Sequence, residues 1–134
     1  MPTPIRQLFQ EVAMTHGIEG VDYSEPSSHF FEANGLRFHY LDWGGSGFPI
    51  VFLHGNWQSA NTWDLVAIQL RDRYRCVGLD QRNHGETDRV MDSGQFGNNR
   101  VAMIEDARAF IERLGLREYF LVGMSMGGSV SMGH

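Results

Sequence analysis

The sequence predicts an α/β fold built on a mostly parallel mixed sheet, with an antiparallel hairpin at its N-terminal edge and helices on both faces. Three observations predict it. An Asn34-Gly35 pair separates two strand-like runs, three short apolar runs each end at a polar residue or a glycine, and stretches with helical spacing alternate with those runs. Such alternation favours a parallel sheet, because each helix carries the chain back across a face of the sheet.

The chain opens with a predicted short helix over residues 3–17. Thr3 is a good N-cap, Pro4 suits the first helical position, and Gly17 can end the helix. Its apolar residues share one stripe at helical spacing: Ile5, Leu8, Phe9 and Val12. We expect this stripe to dock on the rest of the molecule and residues 21–28 to form a linker. Residues 1–28 are thus a predicted helix and linker that precede a domain over residues 29–134.

Two strand-like runs, residues 29–33 and 36–41, flank Asn34-Gly35. A two-residue Asn-Gly loop favours a type I′ turn, in which both residues have a positive φ, so this segment is a predicted β-hairpin. A glycine-rich loop follows, and residues 50–53 then form a continuous apolar run. Such a run is typical of a strand that is buried on both faces.

Helices and buried strands alternate through the rest of the chain. Residues 61–70 carry apolar side chains at helical spacing, and residues 75–79 form a second buried strand. A loop rich in glycine, asparagine and charged residues occupies residues 81–100.

A further helix is predicted from a second apolar stripe, which comprises Ile104, Ala107, Ile111 and Leu114. Residues 119–122 form a third buried strand, and another helix begins near Ser125. Ligands of such sheets bind outside the carboxyl ends of the parallel strands. The loops to inspect for a site therefore begin at the strand ends: His54, Asp80 and Gly123.

Composition limits the classes of function. The 134 residues suffice for one domain, and 42% hydrophobic residues exclude a disordered chain. With 11 basic and 16 acidic residues the net charge is −5, so we expect no nucleic-acid partner and no anionic membrane surface. No apolar run approaches the roughly 18 residues of a membrane span. Cys76 is the single cysteine, which favours a reducing, cytoplasmic location, and we expect no metal and no cofactor.

The segment Gly123-Met124-Ser125-Met126-Gly127 fits the pattern G-x-S-x-G. It directly follows a predicted buried strand and opens a predicted helix, which is the context of a nucleophile elbow. In that turn the glycines allow a sharp bend, and the serine is held in a strained conformation with its Oγ above the sheet. The alternative is a glycine-rich turn that happens to contain a serine.

The loop after the first buried strand supplies a second candidate group. Acyl transfer needs two N–H donors aimed at the oxygen that becomes negative in the tetrahedral state. We predict the backbone N–H of Met126 as one donor and that of Asn56, or of Trp57 if the loop register differs, as the other. The Asn56 side chain is alternatively a turn residue that satisfies its own backbone. Trp57 is a candidate pocket wall, and Met124 lines either the pocket or the core.

These segments together resemble the α/β-hydrolase superfamily. The matching pieces are the Asn34-Gly35 hairpin, the glycine-rich loop before Ile50, Phe52-Leu53-His54-Gly55, Trp63, Asp80-Gln81-Arg82-Asn83-His84-Gly85, the helix around Asp106, and Val122-Gly123-Met124-Ser125-Met126-Gly127-Gly128. The resemblance runs from about residue 29 to the end and implies a partial α/β-hydrolase fold, its N-terminal half, with Ser125 as nucleophile. Dehalogenase and epoxide-hydrolase branches place aspartate at the elbow, so the serine implies ester-like acyl transfer on a small-molecule acyl substrate.

The resemblance also implies that His54 and the loop over residues 80–85 shape the rim, and that His84 is not the catalytic base. The family order is Ser, then Asp or Glu, then His, but only nine residues follow Ser125 and His134 is their one histidine. In a helix His134 would lie about 13 Å along the axis from Ser125, too far for a hydrogen bond. The triad acid and base are therefore expected outside this sequence.

The strand over residues 119–122 would then have a bare apolar edge. A second chain that completes the sheet, a homodimer, or a truncated fragment would each account for it. Three hypotheses follow: a serine hydrolase scaffold, a non-catalytic fragment that pairs through this sheet edge, and a small-molecule binding module that uses the same rim without turnover.

Overall fold

The computed structural model describes residues 5–91 and 99–134, with side chains from residue 7 onward. The elements are α1 (Ile5–Thr15), β1 (Ser27–Ala33), β2 (Leu36–Gly44), β3 (Phe48–Leu53), a 3₁₀ helix (Ala60–Trp63), α2 (Asp64–Leu70), β4 (Tyr74–Leu79), α3 (Arg100–Arg113), β5 (Phe120–Gly123) and α4 (Met126–Gly133). In this described part of the chain, every helix is too short or too polar to cross a membrane.

The strands form one five-stranded sheet in the order β1-β2-β4-β3-β5. β2 pairs antiparallel with both β1 and β4, and β3 pairs parallel with both β4 and β5. The predicted mixed sheet with a hairpin edge is therefore confirmed. Leu53 is the register partner of Leu79 on one side and of Gly123 on the other. The carboxyl ends of the three parallel strands thus share one edge of the sheet.

The hairpin turn has the predicted geometry. Asn34 has a φ of 51° and Gly35 a φ of 76°, which is the pair of positive values that a type I′ turn requires. Both strands are longer than predicted, because the ladder continues past the apolar residues. Ser27 pairs with Asp42, and Gly44 pairs with Cys76 across a bulge.

Helices cover both faces of the sheet, as predicted. On one face, α3 and α4 pack on a core of Val51, Val77, Met103, Phe110 and Val130 with neighbouring residues. On the other face, α1 and α2 pack on a core that includes Trp43, Phe52, Ala67, Ile68 and Cys76.

The face that α1 buries differs from the predicted stripe. Leu8 and Val12 are 46% and 48% exposed, whereas Ala13 is fully buried and Phe9 packs against the core. The helix is turned so that Phe9 and Ala13, four residues apart, point inward. The side chain of Ile5 lies outside the described residues. Gly17, with a φ of 77°, ends the helix as predicted.

The predicted helix over residues 61–70 is split in two. Its start is a 3₁₀ turn, in which the Thr62 N–H donates to the Ser59 carbonyl at 3.0 Å, and α2 begins only at Asp64. The 3₁₀ turn brings the Trp63 ring onto Phe52, with ring centroids 4.8 Å apart. Val66, which was expected on the buried stripe, is 39% exposed.

The segment over residues 21–28 is tied to the body of the molecule. The buried guanidinium of Arg71 donates to the carbonyls of Ser24 at 2.8 Å and Trp43 at 3.3 Å, and also to that of Asp22. One buried side chain therefore holds this segment against β2. The segment is not a free linker, and the N-terminal helix packs on the body of the molecule.

Candidate active site

The G-x-S-x-G segment makes a sharp turn at the carboxyl end of β5. Only Met124 and Ser125 separate the last residue of β5 from the first residue of α4. Ser125 has a φ of 53° and a ψ of −114°, a conformation that costs a residue with a Cβ about 1–3 kcal/mol. Its side chain is exposed and makes no capping hydrogen bond to α4. The hydroxyl is thus presented at the edge of the sheet.

Close packing explains the glycines of this turn. A Cβ atom on Gly123 would lie 2.3 Å from the Gly127 carbonyl oxygen, and one on Gly127 would lie 2.1 Å from the Leu53 carbonyl oxygen. Real Cβ atoms do not approach backbone oxygens so closely. The first turn of α4 can therefore pack against β3 and β5 only because positions 123 and 127 are glycines, which have no Cβ atom.

The loop that follows β3 lies directly against the turn. The Met124 N–H donates to the Leu53 carbonyl at 3.1 Å, and a Cβ atom on Gly55 would stand 3.4 Å from the Ser125 Cβ. Asn56 follows Gly55 and is half-buried. The Met126 N–H belongs to the first turn of α4, where backbone donors have no intrahelical acceptor. The structure thus brings the loop of Asn56 next to Ser125, immediately before the start of α4.

The two residues proposed for the pocket wall have different surroundings. Trp57 is 82% exposed and has a φ of 65°, so its ring projects from the loop into solvent. Met124 is half-buried in the turn itself. Met126 packs against the core beneath α3 and α4.

The Asn56 side chain bridges two loops. Its Oδ1 lies 3.1 Å from His84 Nε2, and His84 Nδ1 lies 2.8 Å from the Arg82 carbonyl oxygen. A carbonyl only accepts, so Nδ1 carries a proton. A neutral His84 then accepts from the Asn56 amide group after a half-turn of that amide, and a protonated His84 donates to Oδ1. In either state the ring joins the two loops.

A buried ion pair holds Arg82, whose carbonyl oxygen accepts from His84. Arg82 donates to both carboxylate oxygens of Asp106, at 2.6 Å from Nε and 2.9 Å from the guanidinium NH2 group. Asp106 is 1% exposed and also accepts from Asn34 Nδ2 at 2.9 Å. The hairpin turn, α3 and the loop after β4 are thereby locked to one carboxylate.

His54 is fully buried at the end of β3 and is neutral. Its Nε2 accepts from the Gln81 N–H at 3.0 Å, so Nδ1 carries the proton and donates to the Gly55 carbonyl at 2.7 Å. Burial lowers the pKa of His54 from 6.5 to about 4. Both ring nitrogens are occupied, which agrees with a rim-shaping role rather than a role as base.

His134 does not approach the turn. Its Nε2 lies 2.7 Å from the Tyr119 hydroxyl, and Arg108 donates to its backbone carbonyl at 3.3 Å. Burial lowers the pKa of its imidazole. The only histidine after Ser125 therefore packs at the far end of α4, as expected.

One polar cluster was not predicted from the sequence. The side chains of Ser28, His39 and Asp80 form a hydrogen-bonded line that runs from β1 across β2 to the carboxyl end of β4. The available signal was the histidine inside the strand-like run over residues 36–41, because a buried histidine needs a hydrogen-bond partner, and His39 is indeed buried. The partner comes from 41 residues away, which no local pattern indicates.

The comparison with known proteins decides the family. Residues 49–132, which are more than half of the chain, match the family model of the alpha/beta hydrolase fold. The chain belongs to the α/β hydrolase fold family.

Relatives of this α/β hydrolase have several different activities. Haloalkane dehalogenase 2 of Mycobacterium tuberculosis is 34% identical over 109 residues, which cover 78% of this chain and 35% of that protein. A bifunctional esterase/perhydrolase of Acinetobacter calcoaceticus is 33% identical over 97 residues, or 71% of this chain and 34% of that protein. The α/β hydrolase chain thus spans about a third of the length of these curated relatives.

The fold is also that of solved α/β hydrolase structures. The thioesterase domain from the curacin biosynthetic pathway superposes with a TM-score of 0.73 at 22% identity, over 82% of this chain and 41% of that one. At this level of identity the likeness concerns the fold alone. The partial hydrolase fold expected from the sequence is therefore confirmed.

Proposed function

We propose that this chain is the scaffold of a serine hydrolase that cleaves carboxylester, lactone or thioester bonds of a small acyl substrate. The observation that carries the proposal is the backbone of Ser125. It has a positive φ in the two-residue turn between β5 and α4, and its side chain is exposed at the carboxyl edge of the sheet. A strained serine in this position is the defining feature of a nucleophile elbow.

The proposed reaction begins at Ser125. Its Oγ attacks the carbonyl carbon of the substrate, a base takes the hydroxyl proton, and the carbonyl oxygen becomes negative. The tetrahedral state collapses, the bond to the leaving alcohol or thiol breaks, and the acyl group stays on Ser125. Water then hydrolyses this acyl-enzyme. No metal and no cofactor is needed for these steps.

Two backbone N–H groups are proposed to stabilise the negative oxygen. They are the N–H of Met126, in the first turn of α4, and that of Asn56, with the N–H of Trp57 as the alternative in a different loop register. The contact of Gly55 with Ser125 supports this assignment, because it places the loop beside the nucleophile. Removal of one such donor lowers the rate of related reactions by about 10²–10³-fold. Trp57 and Met124 are proposed to line the acyl pocket.

The base and the acid of the triad are proposed to come from outside these 134 residues. His54 and His84 use both ring nitrogens in other contacts, and His134 contacts Tyr119. We also propose a cytoplasmic location. Cys76, the single cysteine, is buried and free, and burial raises the pKa of its thiol to about 11.

Chemical rescue with imidazole tests the proposal. A fluorophosphonate probe is incubated with the wild-type chain with and without added imidazole, and the adduct is located by tandem mass spectrometry. We expect imidazole to raise the rate of labelling at Ser125 at least tenfold, because it supplies the base that the serine lacks. The bond from Ser125 Oγ to phosphorus forms, the P–F bond breaks, and the proton passes to imidazole.

Ser125→Ala should abolish this adduct, and Ser129→Ala is the matched control. Ser129 lies one turn further along α4, where its hydroxyl accepts from Arg100 at 2.6 Å. Labelling of the Ser129→Ala chain should equal that of the wild type. Absence of an adduct at Ser125 in the presence of imidazole would contradict the proposal.

The open edge of β5 favours a second candidate, a non-catalytic fragment that pairs through its sheet. Among the described strands, β5 pairs only with β3. Phe120 is 53% exposed and Val122 is 36% exposed at this edge. An unpaired apolar edge invites a further strand from a second chain or a second copy. Light scattering separates the two cases: a dimer supports this candidate, and a monomer counts against it.

A further inference from the structure

The peptide unit between Gly55 and Asn56 carries the N–H group that is proposed to stabilise the negative oxygen. Gly55 lies beside Ser125, since a Cβ atom on Gly55 would stand 3.4 Å from the Ser125 Cβ. Such a donor is effective only when its hydrogen already points at the place where negative charge develops. The contacts that hold this peptide unit therefore bear directly on the rate of the proposed reaction.

The carbonyl end of the peptide unit is anchored within its own loop. The Gly55 carbonyl accepts from His54 Nδ1 at 2.7 Å and from the Gln58 N–H at 3.3 Å. The Gly55 N–H donates to Gln58 Oε1 at 2.9 Å. A trans peptide unit is planar, so its N–H points away from its carbonyl oxygen. The contacts of the Gly55 carbonyl therefore constrain the direction of the Asn56 N–H.

The other end of the peptide unit is anchored by a side chain from a different loop. Asn56 Oδ1 lies 3.1 Å from His84 Nε2. Trp57, the next residue, has a φ of 65°, a strained value that persists only where the surrounding structure imposes it. The contact with His84 connects the residue that carries the donor to the loop after β4.

His84 is itself held on several sides. Its Nδ1 donates to the Arg82 carbonyl at 2.8 Å, and its backbone N–H donates to the Gln81 carbonyl at 3.0 Å. Its buried ring packs on the ring of His54, with centroids 5.0 Å apart. A buried ring with contacts at both nitrogens can serve as a fixed point for Asn56.

We propose that His84 is a positioning residue for the oxyanion donor: through the Asn56 side chain it holds the Asn56 N–H toward Ser125. This inference rests on the proposed function. His54 anchors the carbonyl of the same peptide unit, so the two packed imidazole rings hold its two ends. In this role His84 transfers no proton. Its contribution is to the orientation of the donor.

Two substitutions separate the two side-chain contacts of His84. Glutamine places its amide nitrogen near the position of Nε2, so it can still bond to Asn56, but it has no group near the position of Nδ1. Asparagine places its amide nitrogen near the position of Nδ1, so it can still donate to the Arg82 carbonyl, but it is too short to reach Asn56. His84→Asn therefore removes the contact with Asn56, and His84→Gln keeps it.

The test is the rate of fluorophosphonate labelling at Ser125 in the full chain with imidazole present. Rates at several probe concentrations separate kinact, which reports the bond-forming step, from KI, which reports binding of the probe. The Oγ–P bond forms, the P–F bond breaks, the proton passes to imidazole, and the phosphoryl oxygen gains negative charge. The position of the oxyanion donor therefore affects kinact.

We expect His84→Asn to lower kinact about tenfold with KI unchanged, since a misplacement of about 1 Å can cost about 10²-fold. His84→Gln should stay close to the wild type in both constants. The reverse ranking would overturn the proposal, because it would mean that the contact with the Arg82 carbonyl supports the loop. Equal values of kinact in the two variants would overturn it as well.

The outcome for the wild-type chain separates this inference from the proposed function. If imidazole produces no adduct at Ser125 in the wild type, the proposed function is wrong, and the role of His84 falls with it. If the wild type is labelled and His84→Asn has the same kinact, only the role of His84 is contradicted.

A variant of Asn56 decides the question if the His84 variants do not fold. Asn56→Ala removes the side chain that His84 holds and keeps the backbone N–H, so we expect a loss of about tenfold in kinact. Asn61→Ala is the matched control, at an exposed asparagine that donates to Asp64 at 3.1 Å, and should be labelled like the wild type. An Asn56→Ala chain with the kinact of the wild type would show that the donor needs no side-chain anchor, which would overturn the proposal.

Discussion

Gly127 lies so close to Leu53 that no side chain fits between them. A Cβ atom at position 127 would be 2.1 Å from the Leu53 carbonyl oxygen and 2.6 Å from that of His54. This contact seats the first turn of α4 on the end of β3. The position of α4 in turn determines the conformation of Ser125, because the chain has only two residues in which to pass from β5 to α4.

Substitution of Gly127 by alanine should therefore be strongly destabilising. The added methyl group would meet backbone, which cannot move without shifting β3 or α4, so we expect a loss of at least about 2 kcal/mol in the free energy of unfolding. Gly128→Ala is the matched control. A Cβ atom there would lie 3.4 Å from the nearest atom, the Gly123 carbonyl oxygen, and alanine favours a helix over glycine by about 1 kcal/mol.

Urea unfolding of the two variants beside the wild type measures both effects. We expect Gly127→Ala to be the less stable chain and Gly128→Ala to match or exceed the wild type. If both alanine variants had the same stability, the close packing of Gly127 on β3 would not control the turn.

The strain at Ser125 should appear as a stability difference between two substitutions. Glycine adopts a φ of 53° without the clash of a Cβ atom, whereas alanine keeps that clash. Glycine also destabilises the folded state, because the unfolded chain gains conformational entropy at that position. The free energy gained by relieving the strain is larger, so we expect Ser125→Gly to be about 1 kcal/mol more stable than Ser125→Ala. Urea unfolding measures this difference. A less stable Ser125→Gly chain would mean that the turn is relaxed.

The buried pair of Arg82 and Asp106 should be far more important for stability than an exposed pair on the same helix. Asp106→Asn removes the carboxylate charge that accepts two hydrogen bonds from the buried Arg82 guanidinium, and breaking a buried pair in this way costs about 3–5 kcal/mol. Glu105→Gln removes the adjacent pair with Arg108, whose side chains are about half exposed, and should cost less than about 1 kcal/mol.

Thermal or urea unfolding of these two variants provides the measurement. Addition of 0.5 M salt (about a 4 Å Debye length) should weaken the exposed pair further and leave the buried one unchanged. Equal losses from Asp106→Asn and Glu105→Gln would show that the contact with Asp106 does not lock the hairpin turn to α3.

Local signals in the sequence were sufficient to predict the sheet and the turn at Ser125. Asn34-Gly35 specified a hairpin because few residues tolerate two successive positive φ values, and the G-x-S-x-G segment specified an elbow because it followed a buried strand. Both signals lie within a few residues of the structure that they produce. The rotation of α1 was not predictable in this way, because Ala13, its most buried residue, is too small to stand out in an apolar stripe.

Contacts between distant segments were the part that sequence patterns could not supply. The side chains of Asn56 and His84 meet across 28 residues, and those of His39 and Asp80 across 41. Each pair depends on which strands become neighbours in the sheet. The order β1-β2-β4-β3-β5 places β4 beside β2, and this brings Asp80 next to His39. Polar clusters of this kind follow from topology, which is determined by the whole chain.

The neutral state of His54 predicts how stability depends on pH. Its pKa is about 4 in the folded chain and about 6.5 when unfolded, so the unfolded chain binds more protons between these values. The stabilising contribution of neutral His54 is complete above pH 6.5 and is lost as the pH falls through 6.5 towards 4. The lowering of the His54 pKa from 6.5 to about 4 corresponds to a free energy of about 3 kcal/mol.

The titration of the His54 imidazole by NMR tests this directly. We expect the Cε1 proton of His54 to shift with a midpoint near pH 4, and we expect the free energy of unfolding in urea to fall between pH 7 and pH 4. His54→Gln should flatten that pH dependence, because glutamine does not titrate, and His16→Gln, at an exposed position after α1, should not change it. A midpoint near 6.5 for the His54 resonance would mean that its ring contacts water, in which case the hydrogen bonds to Gln81 and Gly55 would not hold the rim in the geometry described.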